Sequence, residues 1–266
     1  IEPGNGGPVG KINQDRGAIL YPLEEDKQRC LLTVYDGHGP KGQQVSQFIM
    51  TNLADHFSSG SYLSNPVQAL SSAFVETDKK LMDTRSIDSY SSGTTATVAY
   101  VHGTTMWMAH VGDSRAVMGV KEGGKVVGTA LTKDHKPDDP KEYQRIIRTG
   151  GFISAASAEL GPARVWIRPG IGSGLAMSRS IGDHAASAVG VTAEPEVKQF
   201  ELKPADAVMI LASDGVWEFI TDQEAVDICM QLSGKASAAA EALIKEAMRR
   251  WQVEEGDYRD DITAIV

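Results

Sequence analysis

The stretch from Thr94 to Leu131 constrains the fold more than any other part of the chain. It reads TTATVAYVHGTTMWMAHVGDSRAVMGVKEGGKVVGTAL, in which short β-type runs are separated by HG, GD and EGG. Runs of this length, bounded by glycine and aspartate, are typical of strands joined by tight turns. Parallel strands would need a longer crossover, usually a helix, between them, and no such alternation is present. The stretch therefore predicts an antiparallel meander.

Further strand-like runs lie on either side of this stretch. GAILYPL and CLLTVYD (30–36) flank the charged segment EEDKQR, which predicts two paired strands. AVMILASDGVWEF (207–219) is also strand-like. The closing DDITAIV is rich in β-branched residues and predicts a final strand buried in a sheet.

Helices are predicted in the segments between these runs. Apolar residues recur every three or four positions in QQVSQFIMTNLADHF and VQALSSAFVETDKKLM. PDDPKEYQRIIRTGG (137–151) has proline and acidic residues at a helix start and glycines at its end. Thr221 and Glu224 form a capping-box pattern that opens TDQEAVDICMQL, and SAAAEALIKEAMRRW follows. Because strands and helices come in blocks, the predicted fold class is α+β rather than a doubly wound sheet.

One long segment, at about 151–174, has no sustained periodicity. Its sequence FISAASAELGPARVWIRPGIGS is rich in Gly, Ala, Ser and Pro. Long segments of this kind in compact domains are usually functional loops. We therefore predict a loop or flap here.

Charge, hydropathy and cysteine content argue against several classes of protein. The net charge of −9 does not suit a nucleic-acid binder, because phosphate backbones are gripped by clustered Lys and Arg. No apolar run approaches the ~20 residues of a membrane span, so we expect no transmembrane segment. The two cysteines, Cys30 and Cys229, provide no disulfide framework, which favours a reducing compartment, the cytoplasm or nucleus.

Carboxylates stand at the ends of β-type runs in five places: Asp15 in NQD, Asp36 in VYDGHG, Asp113 in HVGDSR, Asp214 in LASDGVWE and Asp260 in RDDITAIV. Hard cations such as Mg²⁺ and Mn²⁺ prefer several rigidly held oxygen ligands. Aspartates that converge from distant segments would form such a site. Each of them alone is better explained as an ordinary turn residue, and so is His38 in the turn after Asp36.

Eight segments together resemble the successive motifs of the type 2C metal-dependent Ser/Thr protein phosphatases. They occur in the family's order and cover nearly the whole chain: DGHGPKG, GTTATVAYV, AHVGDSRAV, LTKDHKPDDPKEYQRIIRTGG, GLAMSRSIGD, GVTAEPEV, LASDGVWEF and DDITAIV. The resemblance implies one catalytic domain over residues 1–266, with the flap at about 151–174. It also implies a four-layer α-β-β-α fold, in which helices flank a central β-sandwich of two antiparallel sheets.

The resemblance further implies a site for two Mg²⁺ or Mn²⁺ ions at one end of the sandwich. Asp36 matches the carboxylate that bridges both ions, and the carbonyl of Gly37 matches a ligand of one of them. Asp214 and Asp260 match the other direct ligands, with Asp260 preferred over Asp261 because the first acid of the final motif is the ligand in the family.

Three further residues complete the expected metal and catalytic set. Asp15 matches an acid that reaches the ions through water, and Asp113, with Asp214, matches the site of a third, weaker ion. His38 matches the general acid, since an imidazole near neutral pKa can protonate the departing serine or threonine oxygen. The implied reaction is direct attack on phosphorus by a hydroxide bridging the metals, with no covalent phosphoenzyme.

The sequence departs from the family pattern near its N-terminal motif. Where many members have a phosphate-binding arginine, VGKINQDR offers Lys11, which carries the charge without the bidentate geometry of arginine. Glu218 stands where the family often has an aspartate near the third ion. In the flap, Arg164, Trp166 and Arg168 are candidates for substrate or regulator contact, with packing of Trp166 against the flap as the alternative.

The expected partner is a phosphoprotein substrate, bound by a monomeric enzyme. One alternative is a catalytically weak member of the family that acts as a regulatory or binding module; the retained Asp36, Asp214 and Asp260 favour an enzyme. Another is a different binuclear phosphoesterase that acts on small phosphate esters. Such enzymes usually place several histidines on their metals, whereas this chain has six histidines in all and one, His38, in a ligand-like motif.

Overall fold

The structure, a computed structural model, describes residues 11–58, 61–157, 161–169 and 174–266. Its strands, in chain order, are β1 (Arg16–Leu20), β2 (Arg29–Tyr35), β3 (Gly37–His38), β4 (Gly93–Thr94), β5 (Ala96–His102), β6 (Thr105–Val111), β7 (Arg115–Glu122), β8 (Lys125–Ala130), β9 (Phe152–Ser154), β10 (Arg164–Trp166), β11 (Ile181–Gly182), β12 (Glu196–Glu201), β13 (Asp206–Ala212) and β14 (Ala264–Ile265). Its α-helices are α1 (Gly42–Asp55), α2 (Ser61–Ser64), α3 (Pro66–Asp83), α4 (Pro140–Arg148), α5 (His184–Ser187), α6 (Asp214–Trp217), α7 (Asp222–Met230) and α8 (Ala236–Glu254).

Two larger sheets form the centre of the fold, and their named strand pairs are antiparallel. The first has the order β1-β2-β5-β6-β12 and the second the order β14-β13-β7-β8. Two smaller sheets accompany them, with the orders β11-β4-β3 and β10-β9. The small sheet β11-β4-β3 lies beside the end of β2 and carries His38.

The two faces of each large sheet pack against different layers, because successive side chains of a strand point to opposite faces. In β2, Val34 packs with residues of the second sheet such as Leu211, whereas Leu31 packs with helices α1 and α3. In β13, Leu211 faces the first sheet, whereas Ile210 packs against helices α7 and α8. The layers are therefore α-β-β-α, and the predicted α+β sandwich is confirmed.

Helix ends follow the local signals in the sequence. The Thr221 side chain accepts a hydrogen bond from the Glu224 backbone N–H, and the Glu224 carboxylate accepts one from Thr221, so the predicted capping box opens α7. Asp139 caps α4 by accepting hydrogen bonds from the backbone of Lys141 and Glu142. Both signals lie within one helical turn, which is why they are readable from the sequence.

Four sequence predictions need correction. The stretch 94–131 is not one meander: β5 and β6 belong to the first sheet and β7 and β8 to the second, and the chain changes sheets at Gly112, which has φ 93°. The strand predicted at 207–219 ends at Ala212, where a short helix begins at Asp214. The final strand β14 is half-buried at a sheet edge, whereas the sequence predicts a buried strand. The segment 151–174 contains the paired strands β9 and β10, although its residues 158–160 and 170–173 lie outside the described part.

Candidate metal centre

The strand registers bring five chain segments to one end of the sandwich. In the first sheet β1 begins where β2 ends, and β5 begins where β6 ends. In the second sheet the end of β13 pairs with the starts of β7 and β14. The short connection from β6 to β7 places these strand ends of the two sheets side by side. The residues that flank them include all five predicted carboxylates: Asp15, Asp36, Asp113, Asp214 and Asp260.

The carboxylates at this end act on one another electrostatically. Desolvation, followed by the negative charges of Asp214 and Asp15, raises the pKa of Asp36 well above its ordinary value. Desolvation, followed by the charge of Asp113, raises the pKa of Asp214 to about 7. Such shifts arise when like charges share a poorly solvated site. The fold therefore concentrates negative charge that a divalent cation would neutralise.

Two buried carboxylate oxygens in this cluster have no hydrogen-bond donor among the described residues, Asp15 Oδ1 and Asp113 Oδ1. Asp15 is buried, and its other oxygen, Oδ2, accepts a hydrogen bond of 2.8 Å from Ser213 Oγ. Asp113 is also buried, and its Oδ2 contacts the ammonium of Lys136. Buried polar atoms are nearly always partnered, so the two open oxygens fit hard-cation ligands.

The adjacent acids Asp260 and Asp261 have different partners. Asp261 Oδ2 accepts a hydrogen bond of 2.7 Å from the backbone N–H of Gln14, which ties the C-terminal segment to the N-terminal one. Asp260 Oδ1 forms an ion pair with Lys11, whose ammonium also lies 3.6 Å from Asp261 Oδ1. Lys11 is thus at the edge of the carboxylate cluster, where its charge is already matched by an acid.

Gly37 lies where two backbone segments approach closely. A Cβ atom at this position would stand 2.6 Å from the carbonyl oxygens of both Gln14 and Gly42. Contacts this short with backbone atoms would force a shift, so glycine is needed here for packing alone. This requirement adds to the sequence argument, which assigned Gly37 a role through its carbonyl.

His38 is hydrogen-bonded to an acid that the sequence analysis did not assign. Its Nε2 lies 2.6 Å from Asp183 Oδ2, while its Nδ1 is buried and has no partner among the described residues. Desolvation lowers the pKa of His38, but the charge and hydrogen bond of Asp183 outweigh it, so the net shift is upward. Asp183 ends the motif GLAMSRSIGD, so the signal was present in the sequence without a role attached to it.

A sequence profile of the family described as Protein phosphatase 2C matches residues 12–255. The chain belongs to the protein phosphatase 2C family. The match covers most of the chain and includes Asp15, Asp36, Asp113 and Asp214, but it leaves Lys11 and Asp260 outside.

Two plant relatives in this family align with 96% of the chain. The chain is 37% identical to Probable protein phosphatase 2C 64 of Oryza sativa subsp. japonica, of which it spans 62%. It is 36% identical to Probable protein phosphatase 2C 34 of Arabidopsis thaliana, of which it spans 76%.

The fold is similar to that of a solved member of the family. The crystal structure of serine-threonine phosphatase 2C from Toxoplasma gondii matches with a TM-score of 0.81 and 24% identity, over 96% of this chain and 89% of that one. At this identity the likeness concerns the fold, and it agrees with the α+β sandwich described above.

The flap of this phosphatase 2C chain is held together by its own residues. Trp166 donates a hydrogen bond of 3.0 Å from its indole Nε1 to Ser154 Oγ, and Arg164 donates one of 2.7 Å to the carbonyl of Gly174. A Cβ on Gly174 would come within 2.5 Å of the Trp166 ring, so the ring packs closely on this glycine. Trp166 and Arg164 therefore have structural partners within the flap, and Glu218 is exposed at the end of α6.

A second cluster of potential ligands lies outside the carboxylate site. Ligand atoms of His110, His135 and Glu196 lie within 4.8 Å of one another. However, Nδ1 of His135 accepts a hydrogen bond of 3.2 Å from the Gly112 backbone N–H. The neutral ring then carries its proton on Nε2, which makes Nε2 a donor instead of a metal ligand. The arrangement suits a stacked histidine pair, whose ring centroids are 4.5 Å apart, better than a metal site.

Proposed function

We propose that this chain is a metal-dependent protein serine/threonine phosphatase that hydrolyses phosphoserine and phosphothreonine. The observation that carries the proposal is the convergence of five aspartates at one end of the sandwich, two of them with buried oxygens that have no donor in the described part of the chain. Membership of the protein phosphatase 2C family supports it. No feature described above favours the alternative of a catalytically weak binding module.

The residues that we propose as metal-binding all offer oxygen, which suits Mg²⁺ or Mn²⁺. The two ions would be held by Asp36, the carbonyl of Gly37, Asp214 and Asp260, and through water by Asp15. A third, weaker ion would be held by Asp113 and Asp214. When bound, such ions would lower the pKa of water and offset the charge of the phosphoryl oxygens, which would favour direct attack of water on phosphorus.

The side chains around the carboxylates supply the remaining functions. His38 presents Nδ1, which has no partner within the described ranges, and, when protonated there, donates the proton to the departing serine or threonine oxygen. Lys11 contributes positive charge for the substrate phosphate; to do so it must exchange its ion pair with Asp260 for the phosphate. Its single charge orients a phosphate less strictly than an arginine would.

The proposal also covers the domain organisation, oligomeric state, substrate class and compartment of the protein. We propose a single catalytic domain over residues 1–266, a monomeric state and phosphoprotein substrates. Among the described residues no helix is both long and apolar enough to cross a membrane. Both cysteines are unpaired thiols, and this supports a place in the cytoplasm or nucleus, where thiols stay reduced.

The decisive experiment is hydrolysis of a phosphothreonine peptide by the purified chain with Mn²⁺, with Mg²⁺ and with chelator. We expect phosphate release that requires metal and falls by orders of magnitude in Asp36→Asn and Asp214→Asn. Asp227→Asn, on the exposed face of α7, is the matched control and should keep wild-type activity. A chain that melts cooperatively yet releases no phosphate with either metal would overturn the enzyme and leave the binding module.

A further inference from the structure

A buried hydrogen-bond chain stands behind His38. Ser180 Oγ donates to Asp183 Oδ2 over 2.6 Å, and the same oxygen lies 2.6 Å from His38 Nε2. Asp183 is only 7% exposed, so bulk water does not compete for its carboxylate. The histidine and the aspartate are 145 positions apart in the sequence, and the fold brings them together.

This hydrogen-bond chain determines which nitrogen of His38 is left to face the substrate. A carboxylate only accepts hydrogen bonds, so Nε2 of His38 must carry the proton that lies between it and Asp183. Nδ1 is then the nitrogen left for another group, and it is the atom without a partner among the described residues. The negative charge of Asp183 is also complementary to the ring when both of its nitrogens carry protons.

The backbone around this pair is built to hold it. Asp183 has φ 47°, a left-handed conformation that is energetically unfavourable for residues other than glycine. Its backbone N–H donates to the Ser92 carbonyl over 2.9 Å. In the small sheet, Gly93 pairs with both His38 and Gly182, and so joins the two segments that carry the acid and the imidazole.

Gly93 leaves only enough room for the pair. A Cβ at this position would stand 2.2 Å from Asp183 Oδ2 and 2.7 Å from His38 Nε2. The carboxylate and the ring are therefore clamped between a glycine backbone and the Ser180 hydroxyl. The backbone is strained at Asp183, and Gly93 leaves no space for a side chain beside the hydrogen bond between Asp183 and His38. Both features indicate that the geometry of this hydrogen bond is important.

We propose that Asp183 is the positioning residue for His38, which it holds with Nδ1 directed at the leaving oxygen of the substrate. This inference rests on the proposed phosphatase function. As a water oxygen bonds to phosphorus, the bond between phosphorus and the serine or threonine oxygen breaks; its electron pair goes to that oxygen, which takes the proton from Nδ1. His38 is left neutral with its remaining proton on Nε2, against Asp183, until a proton from water restores it.

The test compares two substrates with different leaving groups in Asp183→Asn. A phosphothreonine peptide releases a strongly basic alkoxide that needs a proton, whereas p-nitrophenyl phosphate releases a stable phenolate that does not. We expect kcat/KM for the peptide to fall roughly 100-fold, as for loss of general acid catalysis, with p-nitrophenyl phosphate changed less than about threefold. An equal fall for both substrates, or no fall for either, would overturn the positioning role.

Asp78→Asn provides a matched control. Asp78 Oδ1 accepts hydrogen bonds from the Gly182 backbone, 2.8 Å away, and from His184 Nε2, 3.1 Å away. It therefore supports the same turn through a second acid and histidine pair without touching His38. The ratio of kcat/KM for the two substrates should stay at its wild-type value in this variant. A shift as large as that in Asp183→Asn would mean that any loosening of the turn impairs peptide hydrolysis, and it would contradict a specific role of Asp183.

A spectroscopic readout separates this inference from the proposed function. In the metal-free protein at alkaline pH, where the ring is neutral, ¹⁵N shifts of His38 should report the tautomer protonated on Nε2, and a mixture of tautomers in Asp183→Asn. A neutral wild-type ring that carries its single proton on Nδ1 and none on Nε2 contradicts the inference even if the chain is an active phosphatase. Conversely, a chain inactive on both substrates with Mn²⁺ and Mg²⁺ refutes the phosphatase.

Ser180→Ala keeps the test decisive if Asp183→Asn does not fold. It leaves the carboxylate in place and removes only the hydrogen bond to Asp183 Oδ2. We expect a smaller loss, about tenfold, again confined to the phosphothreonine peptide. An unchanged substrate ratio in a folded Ser180→Ala protein would count against the proposal.

Discussion

At the scale of single residues, His135 is a buried base that the fold keeps neutral. Desolvation, followed by the nearby charges of His110 and Arg179, lowers its pKa to about 2, while Glu142 opposes the shift weakly. In the unfolded chain its pKa returns to about 6.5. The unfolded chain therefore binds the proton first as the pH falls, and the stability that neutral His135 contributes is lost progressively below about pH 6.5.

We predict that wild-type protein loses about 2 kcal/mol more than His135→Asn when the pH is lowered from about 7.5 to about 5. The asparagine side chain retains an oxygen that can accept from the Gly112 N–H but does not titrate. Urea unfolding of both proteins in chelator at the two pH values measures the difference. Parallel losses in the two proteins would show that His135 is not responsible.

Residues of the candidate site differ in how far the sequence reveals them. Asp36 and Asp214 lie at strand ends within recognisable motifs, so their residue type and position predict that they belong to the site. Asp183 contacts His38, and Lys136 contacts Asp113, only because of the tertiary structure. No periodicity in the sequence indicates such pairs. Ser213 precedes Asp214 directly, yet its hydrogen bond to Asp15 spans 198 positions.

At the scale of elements, α4 is fixed to the rest of the fold by one buried acid. Glu142, 3% exposed, accepts hydrogen bonds from Arg179 over 2.7 and 3.0 Å and from Ser178 over 2.8 Å, and forms an ion pair with Arg145. Arg179 and Ser178 precede the turn that holds Asp183. The helix is thereby joined to the segment behind the proposed general acid.

We predict that Glu142→Gln lowers the free energy of unfolding by about 3 kcal/mol, because it leaves two partly buried guanidinium groups without their carboxylate. Glu241→Gln is the matched control: its carboxylate is exposed and lies 3.7 Å from Lys245 on the surface of α8. It should change stability by less than about 0.5 kcal/mol. Denaturant unfolding measures both, and a similar small effect of the two changes would contradict the assigned anchor.

Element types were predictable where the signal is local, and element partners were not. The capping box of α7 and the apolar spacing of α1 and α3 lie within a few turns of helix, so the sequence predicts these elements well. The change of sheet at Gly112 depends on the pairing of β7 with β13 in the second sheet. The residue patterns of β6 and β7 would be the same if these two strands paired with each other, so the sequence does not reveal the change. The edge position of β14 likewise depends on the absence of a further strand beside it in the described sheet.

At the scale of the whole molecule, one end of the sandwich carries repulsion that a bound metal would relieve. Because the pKa of Asp214 is raised to about 7 in the folded protein, stability of the metal-free protein falls as the pH rises from about 4, and the cost is complete above about pH 7. The cost is absent at low pH, where the carboxyl is protonated in both the folded and the unfolded chain. Ligands that bind only the folded state stabilise it by mass action.

We therefore predict that Asp214→Asn is more stable than wild type by at least about 1 kcal/mol in chelator at about pH 8. With excess Mn²⁺ the order should reverse, because wild type gains more from the ion than a variant that has lost one ligand. Thermal melts of both proteins in chelator and with Mn²⁺ measure this reversal in their order of stability. A variant that is less stable than wild type in chelator would mean that the carboxylate is already compensated within the protein.

The ion pair of Lys11 with Asp260 and the hydrogen bond of Gln14 with Asp261 join segments almost 250 positions apart. The carboxylate cluster thus closes only after the last strand has been synthesised and has docked beside β13. A nascent chain that has emerged only as far as α8 still lacks β14, Asp260 and Asp261, and therefore lacks this closure. The proposed metal site would then be completed only after the segments that form most of the hydrophobic interior have been synthesised.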